Sequence, residues 1–278
     1  MQAARRTRSA LGSASSHDEP APVAVEAGSG RALMGARWLR MPLLPLLWLL
    51  WPLLWQQARH VRATVPRMPE PPGLRAGTAG HGSLVRLLLA GDSGAAGVGA
   101  TSQEEALCGQ LVRLLSRHHT VEWCVLAVNG LDSPGLLKLL QTAPCSRFDV
   151  VVLSMGANDA TGLCSPLQWA RWQARLADLI DLRFAPSLLV HSAVPPMHAC
   201  MALPQPLRWF MGCWAWQMNT ALAGQLSDQH RRTLHWHPEL TTSADMASDG
   251  IHPSPAGYSV WAEGLSRHIL AAQEMTSG

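Results

Sequence analysis

Four short, mainly apolar stretches constrain the fold of this chain more than any other feature of its sequence. They cover residues 84–90, 121–128, 148–154 and 187–194. A strand that faces solvent on one side alternates apolar with polar residues, whereas a strand buried on both faces does not. The pattern therefore predicts strands inside a sheet that is covered on both sides.

Amphipathic stretches lie between and after these strands. Apolar residues recur at helical spacing in residues 103–117, 167–183 and 208–226, and again in a final stretch that begins at Pro255. Strands that alternate with helices are typical of parallel sheets. We predict a three-layer α/β/α domain with a mostly parallel central sheet over residues 84–278.

An apolar run of 15 residues, MPLLPLLWLLWPLLW, precedes this domain at positions 41–55. Three interpretations stay open: an uncleaved signal-anchor, a cleaved signal peptide, or a segment buried in the domain. As a helix the run would span about 22 Å, which is short of the ~30 Å hydrocarbon core of a bilayer. Because no small-x-small cleavage site follows it, we favour a hydrophobic membrane anchor over residues 36–58.

The segments on either side of the anchor lack a periodic apolar pattern. Residues 1–35 are rich in Ala, Ser, Gly and Arg, and we expect them to be disordered. Residues 59–83 carry several prolines and glycines, which is typical of a linker. Arginines stand on both sides of the apolar run and give little orientation, but basic residues before a signal-anchor favour an extracytoplasmic domain.

The composition excludes several functions. The net charge is only +3 and the arginines are spread along the chain, so we expect no nucleic-acid partner. The six cysteines form no C-x-x-C pair, which argues against a zinc ribbon and favours buried free thiols. His235 and His237 lack a third ligand at a suitable spacing, so we predict no metal site.

Small and polar residues follow three of the predicted strands. They are GDSG at 91–94, NG at 129–130 and GAND at 156–159. Ligands of open parallel sheets bind beyond the carboxyl ends of the strands, so these three loops are expected to meet. Ser93 lies in a turn of small residues that exposes its hydroxyl and leaves backbone N–H groups free for an anion.

A second candidate pair lies near the end of the chain, where Asp249 precedes His252 by three residues. At this spacing a carboxylate can bind the imidazole, fix its tautomer and stabilise the imidazolium that forms when the ring takes a proton. We interpret two other carboxylates, Asp92 and Asp159, as groups that cap N–H groups of the adjoining helix or loop.

Together these motifs resemble the SGNH hydrolases, also called GDSL-type lipases and esterases. GDS at 91–93, Gly130, GxND at 156–159 and DxxH at 249–252 occur in the order of that family, and the resemblance covers roughly residues 84–273. The proline-rich segment before the domain looks like that of membrane-anchored bacterial members. Where the usual string has leucine this chain has a glycine, at a position that supplies no catalytic group.

The resemblance implies the SGNH fold, which is flavodoxin-like, and a role for each matching residue. Ser93 would be the nucleophile, His252 the general base and then acid, and Asp249 the carboxylate that orients the imidazole. The oxyanion hole would consist of the backbone N–H of Ser93, the backbone N–H of Gly130 and the side-chain amide of Asn158. Neither a cofactor nor a metal is implied.

We therefore predict a membrane-tethered serine esterase that hydrolyses carboxylic esters of a small molecule or a lipid through an acyl-serine intermediate. Two alternatives stay open. One is a catalytically silent, anchored binding module of the same fold, and the other is an acyltransferase that uses an acceptor other than water.

Overall fold

The computed structural model describes residues 43–238 and 242–277, so the expected disorder of residues 1–35 lies outside the described part. A six-stranded sheet crosses the domain in the order β1-β3-β2-β4-β5-β6, in which β1 is antiparallel to β3 and the other neighbours are parallel. The strands are β1 (Ala76–Gly80), β2 (Leu84–Gly91), β3 (Thr120–Ala127), β4 (Val150–Ser154), β5 (Leu188–Ser192) and β6 (Arg232–His235).

Helices cover both faces of this sheet. They are α1 (Leu43–Thr64), α2 (Ser93–Ala96), α3 (Leu107–Leu115), α4 (Ser133–Thr142), α5 (Ala157–Thr161), α6 (Pro166–Phe184), α7 (Leu207–Leu226) and α8 (Pro255–Ser277), with short 3-10 turns at Met197–Ala199 and Ser243–Asp245. Helices α3 and α8 pack on one face, α4 and α6 pack on the other, and α7 lies beside α6. The predicted three-layer α/β/α fold with a mostly parallel sheet is confirmed.

Strand β2 shows why the apolar runs are unbroken. Leu87 and Leu89 belong to the core beneath α3 and α8, whereas Leu88 and Ala90 belong to the core beneath α4 and α6. All four side chains are fully buried. Because successive side chains of a strand point to opposite faces, the part of β2 that is covered on both sides carries only apolar residues, whereas Arg86 lies near the less buried start of the strand.

The order of the strands fixes where a ligand can bind. From β2 the chain passes to β3 on one side and then returns to β4 on the other, so the direction of winding reverses between β2 and β4. Open α/β sheets bind ligands at such a switch point, beyond the carboxyl ends of the strands. Gly91 pairs with Ala127 of β3 and with Ser154 of β4, so the loops that follow these three strands begin side by side.

The structure differs from the sequence prediction at residues 76–80, which fall inside the expected linker but form strand β1. Gly77 pairs with Trp123 of β3, and a side chain at position 77 would collide with the indole ring. Just before β1, Glu70 accepts the backbone N–H of Asn129 at 2.6 Å. The sequence AGTAG has no apolar pattern because β1 is held by the backbone of β3 rather than by its own side chains.

Helix α1 contains residues 43–55 of the apolar run and continues to Thr64, whereas residues 36–42 of the predicted anchor lie outside the described residues. Leu54 and Val61 are buried against α7. Of the three interpretations of the apolar run, burial in the domain therefore applies to this inner face of the helix. No helix among the described residues is both long enough and apolar enough to cross a membrane.

The six cysteines all lie within the described residues and are free thiols. Cys108, Cys200 and Cys213 are buried, which confirms the expectation of buried thiols for these three, whereas Cys145 is exposed. Burial raises the pKa of Cys108 to about 12, so this thiol stays protonated at neutral pH.

The contact at the end of β2 leads to a prediction for Gly91→Ala. A methyl group at this position would collide with the carbonyl oxygen of Ser154, a backbone atom that cannot turn away. We expect a loss of about 1–3 kcal/mol in the free energy of unfolding, measured by urea denaturation. Gly224→Ala is the matched control, because Gly224 of α7 has open space around it and alanine is the better helix former. Equal stability of the two variants would contradict the described register.

Candidate active site

The sheet and a tight turn position Ser93. Strand β2 ends at Gly91, the backbone N–H of Asp92 donates to the carbonyl of Ser154 at 3.1 Å, and α2 begins at Ser93. The carboxyl group of Asp92 caps this helix by accepting the N–H of Gly94 at 3.1 Å, as the sequence predicted. Ser93 therefore lies at the carboxyl edge of the sheet, at the switch point between β2 and β4.

The loop before α8 holds Asp249 and His252. One carboxylate oxygen of Asp249 accepts the backbone N–H groups of Ile251 and His252 at 2.9 and 3.0 Å, and the other lies 2.6 Å from Nδ1 of His252. Burial alone would raise the pKa of Asp249, but the bond to the imidazole and the two backbone N–H groups outweigh it and hold the pKa below its ordinary value. Asp249 is thus an ionised, almost fully buried partner of the imidazole.

The two parts meet at the second nitrogen of the same ring. Nε2 of His252 lies 2.9 Å from Oγ of Ser93, although the residues are 159 positions apart. The ionised Asp249 accepts a hydrogen bond from the N–H at Nδ1, which leaves Nε2 as the acceptor for the hydroxyl of Ser93. A hydroxyl, an imidazole and a carboxylate in this sequence of bonds can generate a nucleophilic oxygen.

The three groups named for an oxyanion hole lie in the loops after β2, β3 and β4. Within residues 43–238 and 242–277, the backbone N–H groups of Ser93 and Gly130 have no acceptor. Asn158 is half-buried, and its side-chain nitrogen donates to the carbonyl of Leu131 at 2.8 Å, which ties the third loop to the second. Because an amide carries two N–H donors, one remains for a ligand.

Gly156 shows why the turn between β4 and α5 needs a glycine. Its φ angle is +125°, a conformation that L side chains rarely adopt, and a side chain there would collide with Val194 and Trp169. The glycine lets the backbone turn sharply enough for Asn158 to face the loop after β3.

Comparison with known proteins identifies the domain. The model of the family described as "GDSL-like Lipase/Acylhydrolase family" matches residues 89–260. The chain belongs to this family. Among curated proteins it is similar to the "GDSL-like esterase Rv1075c" of Mycobacterium tuberculosis (strain ATCC 25618 / H37Rv), with 29% identity over 269 residues that cover 85% of this chain and 77% of the relative.

Solved structures share the fold of this GDSL hydrolase. A family 2 carbohydrate esterase with a carbohydrate binding domain, from Corynascus thermopiles (Myceliophthora fergusii), superimposes with a TM-score of 0.56 at 16% identity over 76% of this chain and 69% of its own. A member of the lipolytic G-D-S-L family from Veillonella parvula gives 0.53 at 13% identity, over 66% and 97%. The predicted family membership is confirmed, and the protein is an SGNH-type hydrolase.

Sequence reasoning missed a buried polar network next to Asn158. Asp159 accepts both the N–H and the hydroxyl of Ser133, at 3.2 and 3.0 Å, from the start of α4. Gln173 of α6 extends the network to Ser133 and to His191 of β5, at 3.4 and 3.3 Å. Asp159 thus caps α4 rather than the adjoining helix or loop that the sequence predicted, and so it links the Asn158 turn of the hydrolase to the start of α4.

Helix α8 packs against the turn that carries Ser93. The hydroxyl of Tyr258 donates to the carbonyl of Val98 at 2.6 Å, and the indole of Trp261 donates to Ser192 at 3.2 Å. The ring of His237 packs on Trp261 with the ring centres 4.1 Å apart, and burial lowers its pKa to about 3. His237 is therefore a neutral packing residue.

In the part of the chain that the structure describes, no group of three or more potential ligands is placed to hold a metal ion.

Asp92 has a raised pKa that the sequence did not indicate. Its side chain is 4% exposed, and burial raises its pKa to about 7, although the N–H of Gly94 and the charge of His252 act in the opposite direction. A group placed beside the candidate nucleophile therefore holds its proton far above the ordinary range of a carboxyl group.

This pKa predicts how stability changes with pH. In the unfolded chain Asp92 ionises near pH 3.8, whereas in the folded protein it keeps its proton until about pH 7, so raising the pH across this window favours unfolding. Relative to Asp92→Asn, which keeps the acceptor for Gly94, we expect the unmodified protein to lose stability on the order of a few kcal/mol between these pH values. Urea denaturation of both proteins at a series of pH values measures the difference, and parallel pH curves would contradict it.

Proposed function

We propose that this protein is a serine esterase that hydrolyses carboxylic esters through an acyl-Ser93 intermediate. The observation that carries the proposal is the continuous set of bonds from Oγ of Ser93 to Nε2 of His252 at 2.9 Å and from Nδ1 to Asp249 at 2.6 Å. In this assignment Ser93 is the nucleophile, His252 is the general base and acid, and Asp249 orients the ring and stabilises its charged form.

In the first half of the reaction, Oγ of Ser93 attacks the ester carbonyl carbon while its proton passes to Nε2 of His252. The carbonyl π electrons move to the oxygen and give a tetrahedral oxyanion. When that intermediate collapses, the bond to the alcohol oxygen breaks and His252 returns the proton to the departing alcohol. Water then repeats the sequence on the acyl-serine, which releases the carboxylic acid and the free Ser93 hydroxyl.

The oxyanion is assigned to the N–H groups of Ser93 and Gly130 and to the remaining amide N–H of Asn158. Each is a neutral donor, so it can stabilise the developing negative charge without competing as an acid. The bond from Asn158 to Leu131 fixes the amide before substrate binds, which lowers the reorganisation needed in the transition state.

The substrate class in this proposal is a carboxylic ester of a lipid, aryl or sugar alcohol. The mycobacterial relative is named an esterase, and one structure of the same fold is a carbohydrate esterase. We further propose that the chain acts at a membrane on the extracytoplasmic side, since basic residues before an apolar run favour export of the domain that follows. Protection of the domain from protease added to spheroplasts would contradict that side.

The triad assignment predicts the activity of single variants on short-chain p-nitrophenyl esters. Ser93→Ala and His252→Ala should lose at least about 10³-fold in kcat, because each removes the nucleophile or the base. Asn158→Ala should lose about 10²- to 10³-fold in kcat, because the bond it removes forms fully only in the transition state. Asn129→Ala, in the neighbouring loop, is the control and should stay active. Full activity of Ser93→Ala or His252→Ala would refute the assignment.

A covalent label separates the proposal from its two alternatives. An organophosphonate should modify Ser93 stoichiometrically, whereas a catalytically silent binding module would leave the serine unmodified. Added alcohols test for an acyltransferase, because ester products in place of free acid would show that the acceptor is not water.

A further inference from the structure

Helix α1 is fixed to the domain along one face. Leu50, Leu54, Ala58 and Val61 recur at helical spacing and pack in the core formed with α7. The side chain of Gln57, on the same face, donates to the carbonyl of Gln205 at 2.7 Å and accepts the N–H of Leu207 at 3.1 Å. The inner face of the helix is thus packed against α7 and hydrogen-bonded to residues 205–207. The axis of the helix lies along the surface of the domain.

The opposite face carries large apolar side chains that the domain leaves uncovered. Leu49, Trp51, Leu53 and Trp55 are exposed by 78, 45, 42 and 52% of their surface. Leu49 and Leu53 lie one turn apart on one flank of the outward surface, and Trp51 and Trp55 lie one turn apart on the other flank, with the exposed Pro52 between the two pairs. Single exposed apolar residues are ordinary, but together these residues make a wide apolar surface of the kind that marks an interaction site. We call these four residues the outer patch.

Cationic side chains adjoin the outer patch. Arg59 and Arg62 follow on the same side of the helix and are exposed, and the guanidinium of Arg59 lies over the ring of Trp55 at 4.7 Å. The helix contains no acidic residue. Leucine and tryptophan next to arginine, with no negative charge, are the side chains that bind the boundary between acyl chains and anionic headgroups.

We propose that helix α1 lies in the plane of an anionic lipid surface, with the outer patch inserted among the headgroups and Arg59 and Arg62 bound to lipid phosphates. In this arrangement the inner face of the helix stays packed on α7. The helix therefore attaches the domain to one leaflet while it remains part of the domain. The occupant is a phospholipid bilayer, and a second copy of the chain on the same patch is the competing outcome that the experiment separates.

The attachment also brings the active site close to the lipid. The segment that Gln57 holds, around residues 205–207, continues back to Ala202, whose N–H donates to the carbonyl of Gly250 at 3.3 Å. Gly250 lies between Asp249 and His252. Three residues of chain span at most about 11 Å, so only short connections separate α1 from the loop of His252. This placement points to esters carried by lipids in the bound leaflet as the substrate class, an inference that rests on the proposed esterase function.

The experiment compares the full chain with two double variants. Trp51→Ser with Trp55→Ser removes two aromatic members of the outer patch. Leu167→Ser with Leu182→Ser is the matched control on α6, where both leucines are exposed, by 69 and 83%. Binding is measured by sedimentation with vesicles of phosphatidylcholine mixed with phosphatidylglycerol and with vesicles of phosphatidylcholine alone.

We expect the unmodified chain and the control to sediment with the mixed vesicles and to bind the neutral vesicles more weakly. The tryptophan variant should bind the mixed vesicles at least about tenfold more weakly, because it loses interfacial aromatic area. Alkaline carbonate should release the bound chain, as it does a protein that lies on one leaflet. Failure of the unmodified chain to bind, equal binding of the tryptophan variant, or resistance to carbonate would overturn the proposal. So would a stable dimer in light scattering that the tryptophan variant abolishes.

Activity then separates this inference from the esterase proposal. All three proteins should hydrolyse a water-soluble p-nitrophenyl ester equally, which also shows that the variants are folded. Only the tryptophan variant should lose hydrolysis of a long-chain ester embedded in the mixed vesicles, and equal rates there would refute the lipid substrate class. Vesicle binding without hydrolysis of any ester would refute the esterase function and leave the lipid attachment intact.

Discussion

The close backbone contact between β2 and β4 determines where Ser93 lies, and the rest of the candidate active site is arranged around this residue. Gly91 pairs with Ser154 and has no side chain, so the chain can approach the carbonyl of Ser154 and then donate the N–H of Asp92 to it. Ser93 follows one residue later. Ser93 is therefore positioned by the register of the sheet, which is more rigid than a loop held only by its ends.

The two carboxyl groups near Ser93 are kept in different protonation states by different surroundings. Asp249 receives three hydrogen bonds and stays ionised, whereas Asp92 is buried with a single backbone donor and holds its proton up to about pH 7. A second full negative charge beside the imidazole would stabilise its cation further and oppose an anion on the substrate. Below about pH 7, burial therefore keeps Asp92 protonated and leaves Asp249 as the ionised one of these two groups.

The elements predicted from the sequence are those whose signal is local. Unbroken apolar runs identified four of the six strands, and the short motifs around Ser93, Asn158 and His252 named groups that the structure brings into neighbouring loops. Strand β1 and the bond between Asp159 and Ser133 escaped prediction because pairing with distant backbone or side chains, rather than a local pattern, creates them. The apolar run of α1 hid its two faces, since nearly every residue in it is apolar and only the contact with α7 distinguishes them.

Gly94, where the family string has leucine, lies against the last helix of the chain. A β-carbon at this position would come within 3.3 Å of the indole of Trp261, so the ring already fills the volume that a side chain in the turn would need. Tyr258 holds the other end of the same turn through Val98. The turn that carries Ser93 is thus fully packed only after the final helix has docked against it. A chain truncated before this helix would contain the serine but would lack the side chains that support its turn.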